Sequence, residues 1–393
     1  MCWPCSVIAP VCMKILMISD VYFPRINGVS TSIQSFRRAL SRQGHAVTLI
    51  CPAYPVDNED DPDIIRIPSR GVIADPEDRM MHYRKILAMA DDLAAEQFDL
   101  IHIHTPFVAH YAGIALAKRL AIPAVESYHT FFEEYLYNYI RWLPRRFLKW
   151  VARRFSVGQC NQVAALVVPS SPMQAVLTEY GVTTPMHVIA TGLDLEAFVT
   201  PSGKDFRSHY RIDPKRPLLL YVGRAAHEKN IGFLINMLPR VLARHPATCL
   251  VIAGEGPARK ALARQARKLG VEEAIMFVGY MRRDGQLQAA YRAADVFVFA
   301  SRTETQGLVL IEAMALGTPV VSTAVMGTRD VLVDGEGCLV AREDLDDFAD
   351  KVCALLDEPE RRAELSQRAV NYAAGWDENE KARQVARLYQ SLI

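Results

Sequence analysis

The sequence lacks most of the features that would place it at once. No apolar run approaches the roughly 18 residues that a membrane-spanning helix needs, so no transmembrane segment is predicted. Charge of one sign is not in excess: 45 Lys and Arg against 44 Asp and Glu leave a net +1, which argues against a general nucleic-acid binder. Glycine patterns are incomplete. There is no full GxGxxG and no Walker A run, so a dinucleotide oxidoreductase and a P-loop NTPase are poor readings. Cysteine is present, eight residues in all, but without a framework. Cys51, Cys160, Cys249, Cys338 and Cys353 are scattered in apolar context and read as reduced thiols. Cys2-Trp-Pro-Cys5 has redox spacing but no preceding strand, and is not read as catalytic. The N-terminal stretch also lacks the basic flank of a signal peptide. Met13-Lys-Ile-Leu-Met-Ile-Ser19 reads like a natural start, and residues 1–12, with Cys12, are expected to be an extension without structural role. No metal site is predicted. His102 and His104 lie two apart on one strand face, but no third ligand follows at metal spacing. The pairs Asp61/Asp63 and Asp344/Asp346 read as solvated or capping residues.

What is present is length, apolar residues and alternation. At 393 residues, half of them hydrophobic, the chain is sized for two ordinary domains. Short β-branched runs alternate with amphipathic helical stretches throughout. Expected strands are Lys14–Ser19, Ala46–Cys51, Leu100–His104, Ala124–Tyr128 and Ala165–Pro169, then Leu218–Gly223, Cys249–Ala253, Ile275–Val278, Val296–Phe299 and Val320–Ser322. This pattern predicts an α/β protein built from two Rossmann-like, doubly wound parallel sheets. The turn-rich Thr200-Pro-Ser-Gly-Lys204 marks the break, with one domain over 13–198 and the next over 199–375. Ligands of such folds bind at the C-terminal strand ends, here in the cleft between the domains.

The densest chemical signal is Ser301-Arg-Thr-Glu-Thr-Gln-Gly-Leu-Val-Leu-Ile-Glu312. Glu304 sits on a polar loop and Glu312 lies about one turn inside a helix that begins at Gly307. Between them the first helical N–H groups have no intrahelical partner and form an anion site favoured by the dipole. A ligand with phosphate in its middle and hydroxyl-rich ends suits this arrangement. The second domain opens on a strand ending at Gly223, followed at once by Arg224 and Lys229. Two cations at a strand's C-terminal edge suit a diphosphate, and would stabilise the charge that builds on it as a leaving group. In the first domain Asn27-Gly28 makes a tight turn before a helix, and Gly28 admits close approach of a ligand. His129 ends a strand and is placed to bond a sugar hydroxyl in the cleft. Gly254-Glu-Gly-Pro257 looks like a shortened phosphate loop, and Tyr280, after Phe277-Val-Gly279, is placed to flank a base.

On these residues the chain resembles the retaining glycosyltransferases of family 4, whose two-Rossmann architecture is called GT-B. The resemblance runs from Met13 to the C-terminus and rests on the Glu-x7-Glu segment Glu304–Glu312, Gly223-Arg224…Lys229, Gly254-Glu-Gly-Pro257 and the Asn27-Gly28 turn. It implies that Arg224 and Lys229 hold the donor diphosphate, that Glu312 bonds the ribose hydroxyls, and that Glu304 lies near the transferred sugar. It implies that the N–H groups of Gly307, Leu308 and Val309 meet sugar hydroxyls and phosphate, that His129 bonds the sugar, and that Gly28 gives the diphosphate access. It also implies front-face transfer with retention, Glu304 acting by position and charge, and a last segment, 376–393, that crosses back to the first domain. The family often has two glycines in the first loop, and Asn27 replaces one of them here. No cofactor is implied; the nucleotide-sugar is a co-substrate.

Within that family, Thr303-Glu-Thr-Gln-Gly-Leu308 and Tyr128-His-Thr-Phe-Phe-Glu-Glu-Tyr135 look most like bacterial diacylglycerol glucosyltransferases. Independently, Arg141, Arg145, Arg146, Lys149, Arg153 and Arg154 interleave with Trp142, Phe147, Leu148, Trp150, Val151 and Phe155. Positions 145, 149 and 153 form one helical stripe and 147, 151 and 155 another. That pattern predicts a basic amphipathic helix lying on an anionic membrane. The expected partners are therefore a nucleotide-sugar, a lipid acceptor (diacylglycerol, with glucose from UDP-glucose) and the cytoplasmic face of a membrane. Three alternatives stay open: a GDP-mannose-dependent transferase acting on a phosphoinositide or other lipid, a transferase with a soluble glycan acceptor, and a sugar-binding protein without turnover.

Overall fold

The computed structural model describes residues 12–55, 61–72, 75–129, 144–196 and 203–393. Its strands, in chain order, are β1 (Lys14–Ile18), β2 (Ala46–Pro52), β3 (Ile64–Ile67), β4 (Ser69–Val72), β5 (Asp75–Met81), β6 (Leu100–Ile103), β7 (Ala124–Ser127), β8 (Ala165–Val168), β9 (Met186–Val188), β10 (Leu218–Val222), β11 (Cys249–Ala253), β12 (Ile275–Gly279), β13 (Val296–Phe299), β14 (Val320–Thr323) and β15 (Cys338–Ala341). Seven form one sheet in the order β3-β2-β1-β6-β7-β8-β9, and six form a second in the order β12-β11-β10-β13-β14-β15. Every pairing within the two sheets is parallel. All ten expected strands are present, within a residue or two of the expected ends.

Five strands were not expected. β3 and β9 are short edge strands; Arg66 interrupts the isoleucines of β3, and β9 is largely exposed. The antiparallel hairpin β4–β5 contains Asp75-Pro-Glu-Asp-Arg79, residue types that strands disfavour. β15 closes the far edge of the second sheet.

In the first sheet alternate residues feed opposite cores. Leu16, Ile18, Ile101 and Ile103 face one side; Ile15, Met17, Leu49 and Leu100 face the other. The second side is closed partly by the C-terminal helix Glu378–Gln390, whose Ala382, Val385, Leu388 and Tyr389 pack with Ile33 and Phe36 of the helix Gly28–Arg42. Glu378, buried at the start of that last helix, bonds Arg38 at 2.7 Å, Arg42 at 3.1 Å and Ser35 at 2.9 Å. Gly192 passes so close to Glu378 that an added Cβ would lie 2.4 Å from its Cα. The second sheet has its own core, including Leu219, Tyr221, Val251, Phe297, Val298 and Ile311.

Candidate active site

Strand ends from both sheets open on a single cavity of about 400 Å³. From the second sheet, Gly223, Arg224, Glu228 and Lys229 line it after β10, Gly254 after β11, Tyr280 and Arg283 after β12, and Thr303 to Val309 after β13. From the first come Arg25 to Val29 after β1, His129 after β7, Pro169 after β8 and Thr191 after β9. Of the donor-side and catalytic residues expected from the sequence, all but Glu312 line this cavity.

Lys229 ends a 3₁₀ turn, His227–Lys229, that leads into the helix Ile231–Arg244. Its Nζ lies 2.6 Å from Glu304 Oε1, and both side chains are about one-fifth exposed. Partial burial strengthens this pair relative to a surface ion pair and fixes a positive charge at the cleft. Behind it, Asn230 donates to the carbonyl of Ala300 and to Glu343 Oε1, both at 3.1 Å, and Glu343 also pairs with Arg302. The neighbours of both Lys229 and Glu304 are therefore tied to one carboxylate.

Gly307 adopts φ 102° as it starts the helix Leu308–Ala315, a conformation glycine reaches without strain. The N-terminus of this helix, with Gly307, Leu308 and Val309, faces the cavity. The Gly254–Gly256 loop, whose Gly254 lines the cavity, also braces the neighbouring turn. A Cβ on Gly254 would lie 2.0 Å from the carbonyl oxygen of Gly223. The Ala225 N–H donates to the Glu255 carbonyl at 2.9 Å, and that of Ala258 to the Ala225 carbonyl at 2.8 Å. These contacts hold the Gly223–Ala225 backbone in place.

Glu312 departs from its expected position at the ligand. It is fully buried; Tyr291 donates to its Oε2 at 2.8 Å, and Arg283 is ion-paired with its Oε1. Burial and the nearby carboxylate push the Tyr291 phenol well above its ordinary value. Arg283, which sequence reasoning missed because Met281-Arg-Arg-Asp-Gly285 reads as a solvated turn, stands between Glu312 and the cavity.

Across the cleft, Asn27 caps the helix Gly28–Arg42, its Oδ1 accepting from Ser30 N at 2.8 Å. The residue that replaces a family glycine thus closes the helix end. An added Cβ at Gly28 would meet no protein atom, so the space beside it belongs to the cavity. His129 lines the cavity and approaches His104, with His104 Nδ1 3.3 Å from His129 Nε2. Burial pushes the His129 imidazole down to about 4 and that of His102 to about 3, so both are neutral at neutral pH. The first sheet also grips the loop after β13. Gln306 accepts from Thr191 N and donates to Thr191 O, both at 2.8 Å. Thr305 Oγ1 donates to the His129 carbonyl at 3.1 Å, and Ser170 Oγ to the Thr305 carbonyl at 2.7 Å. The sequence carried no signal of these contacts across the seam, because the partners are distant backbone atoms.

The basic stretch forms the helix Arg145–Cys160. Arg141 and Trp142 lie outside the described residues, and so do residues 130–135 of the Tyr128–Tyr135 run, residues 1–11 and most of the expected domain break. Within the helix, Leu148 and Ala152 are buried, and Phe155 packs on the core. Arg153 turns to Glu179 and lies over the Tyr180 ring at 4.8 Å. The expected stripes are thus corrected. Of the apolar residues, Phe147 (48% exposed) and Trp150 (58%) face outward, their rings 6.1 Å apart, beside exposed Arg146 and Arg154 and half-buried Lys149. Among the described residues no helix is long and apolar enough to cross a membrane, and no group of three His, Cys, Asp or Glu side chains is placed to hold a metal. Asp344 caps the helix Leu345–Asp357, and Asp61 pairs with Arg37 at 2.8 Å.

Two parallel sheets that share a cleft, with a last helix returning to the first sheet, define the GT-B class. Solved structures agree. Sucrose-phosphate synthase from Thermosynechococcus elongatus superposes with TM-score 0.78 at 22% identity, covering 97% of this chain and 99% of that one. Anabaena HepE in complex with UDP-glucose gives TM-score 0.75 at 19% identity, covering 97% and 100%. The family models "Glycosyltransferase Family 4" and "Glycosyl transferases group 1" match residues 26–197 and 203–372. Alpha-monoglucosyldiacylglycerol synthase of Streptococcus pneumoniae is 34% identical over 318 residues, which span 79% of this chain and 71% of that protein. The chain belongs to the family 4 glycosyltransferases and is a glycosyltransferase.

Proposed function

We propose that this enzyme moves glucose from UDP-glucose to the hydroxyl of diacylglycerol, with retention, while resting on the cytoplasmic face of an anionic membrane. The carrying observation is the convergence of Arg224, Lys229, Glu304 and the Leu308–Ala315 helix N-terminus on one cavity, facing Gly28 and His129. In this reading the diphosphate lies against Arg224, Lys229 and the helix N-terminus, where charge developing on the leaving group is stabilised most. Those cations supply the positive charge, so no metal is required. Glu304, engaged by Lys229, acts by charge and position, and the departing phosphate takes the acceptor proton on the front face. Glu312 meets the ribose only after Arg283 moves or shares its carboxylate. Glucose and diacylglycerol are supported by the name of the pneumococcal relative, and a UDP donor accords with the ligand of Anabaena HepE, whose fold this chain shares. The outward Phe147 and Trp150 with Arg146 offer an interfacial surface.

The test is release of free nucleotide from a panel of UDP- and GDP-sugars, with and without diacylglycerol in anionic vesicles, repeated with a chelator. Chelator-resistant, lipid-dependent release from UDP-glucose is expected. Release that ignores lipid would move the acceptor to a soluble glycan, and release from a GDP-sugar alone would replace the donor.

A further inference from the structure

His102 and His104, both buried, form a row with the half-buried His129 at the cleft, and the site chemistry above uses only the last. His102 on β6 and His104 just after it project to the same side, toward the C-terminal helix that bonds His102, and their ring centroids are 4.0 Å apart. Both nitrogens of His102 are engaged: Nδ1 with the Tyr389 hydroxyl at 2.5 Å and Nε2 with Ser127 Oγ at 2.8 Å. His104 differs. Its Nδ1 meets His129 Nε2 at 3.3 Å, while its Nε2 is buried with no hydrogen-bond partner. The His104 and His129 rings are 16° from parallel with centroids 5.6 Å apart. Ring nitrogens lie on the rim, so this separation with that N···N distance places the rings edge to edge in nearly one plane. A hydrogen bond needs that alignment; face-to-face stacking does not give it.

Between two neutral imidazoles one nitrogen must donate and the other accept. The orphaned Nε2 of His104 decides which. If the His104 proton sat there, a buried N–H would have no acceptor, and orphaned buried N–H groups are the rarer and costlier kind. The proton therefore belongs on His104 Nδ1, which donates to His129 Nε2. His129 then carries its own proton on Nδ1, the nitrogen not turned back onto His104.

We infer that His104 is a positioning residue that fixes His129 as the Nδ1–H tautomer, so that His129 offers a hydrogen-bond donor to the sugar in the cleft. The tautomer assignment rests on geometry alone; the contact with sugar rests on the function proposed above. In that function an oriented donor aimed at a sugar oxygen holds the hexose without accepting its proton. A freely rotating or mixed-tautomer imidazole would spend part of its time presenting an acceptor instead.

Ring-¹⁵N-labelled histidine in the whole protein at pH 7.5, read by long-range ¹H–¹⁵N correlation and assigned with His129→Gln, tests this. The expected spectrum has His129 Nδ1 protonated and Nε2 bare. In His104→Leu the His129 signals should move toward a tautomer mixture. In His104→Asn, whose side-chain amide can again donate to Nε2, they should return. A His129 protonated on Nε2 in the unsubstituted protein overturns the inference, and so does an unchanged His129 in His104→Leu. Should His104→Leu fold poorly, the unsubstituted spectrum and His104→Asn still decide. With the donor found active in nucleotide release, kcat should fall about tenfold in His104→Leu, with KM for the donor changing less, and recover in His104→Asn. A tautomer change with kcat intact would uphold the positioning by His104 and remove the sugar contact of His129.

Discussion

Lys229 and Glu304 hold each other at 2.6 Å in the cleft, and their pairing sets what each substitution should do. In the proposed transfer, Lys229→Ala removes a cation facing a charge that grows on the leaving group, so its loss should fall on kcat. A decrease of about 100-fold at saturating donor is expected in steady-state nucleotide release. Full activity would remove the leaving-group role. Glu312 should behave differently, because it is buried and shared by Tyr291 and Arg283. Glu312→Gln breaks an ion pair at its buried end, so it should weaken donor binding and also lower the melting temperature by roughly 5 °C. Calorimetry with and without UDP separates the two effects. The glutamates and Lys229 were legible because a Glu-x7-Glu spacing around a glycine, and a strand ending at Gly-Arg, are local patterns. Arg283 was not, since an Arg-Arg-Asp-Gly turn carries no mark of the buried carboxylate 29 positions away that it meets.

Among the elements, the loop from Thr303 to Gly307 does two things. It carries Glu304, and through Thr305 and Gln306 it bonds backbone atoms at His129 and Thr191 of the other sheet. Gln306→Leu preserves bulk but leaves the buried Thr191 N–H and carbonyl unpaired. Both kcat and the donor KM should worsen, each by about tenfold, because cleft geometry and Glu304 placement change together. A change in stability alone, with unaltered kinetics, would make the contact merely structural. The Arg145–Cys160 helix carries the membrane question. Reversing Arg146 and Lys149 to Glu should greatly reduce co-sedimentation with anionic vesicles while leaving UDP affinity intact. Undiminished sedimentation would remove the helix from the membrane. Periodicity gave this helix its existence but not its orientation. Arg153 looked like one more cation of the stripe until Tyr180 and Glu179 took it inward. The ten expected strands declared themselves by apolar, β-branched runs, whereas β9 and the β4–β5 hairpin, short or polar, form through pairing that a single segment does not encode.

At the scale of the whole molecule, the chain's return to its first sheet places Tyr389 against His102 and joins the histidine row to the closure of that core. The row then governs acid stability. His102 and His129 titrate near 3 and 4 in the fold, and burial holds His104 well below its ordinary value, against about 6.5 for each when unfolded. Above pH 6.5 both states are neutral and nothing is lost. As the pH falls from 6.5 the unfolded chain takes up protons that the fold refuses, so stability declines; the share from His129 levels off near pH 4 and that from His102 near pH 3. Asp20 works the other way. It is buried at the start of the helix Val108–Leu120, bonded to Thr105 and Ala109, and burial raises it to about 6. Its contribution is full below 3.8 and is lost as the pH rises through 6. Three histidines outweigh one carboxyl, each unmatched proton being worth about 1.4 kcal/mol per pH unit at most. Melting temperature should therefore fall on acidification from pH 7 to 5. The fall should be shallower in His104→Asn, which removes one refused proton, and steeper in Asp20→Asn, which removes the opposing one. Calorimetric scans at half-unit pH steps measure this, and equal slopes in all three proteins would take the acid response away from this row and assign it to titrations elsewhere in the chain.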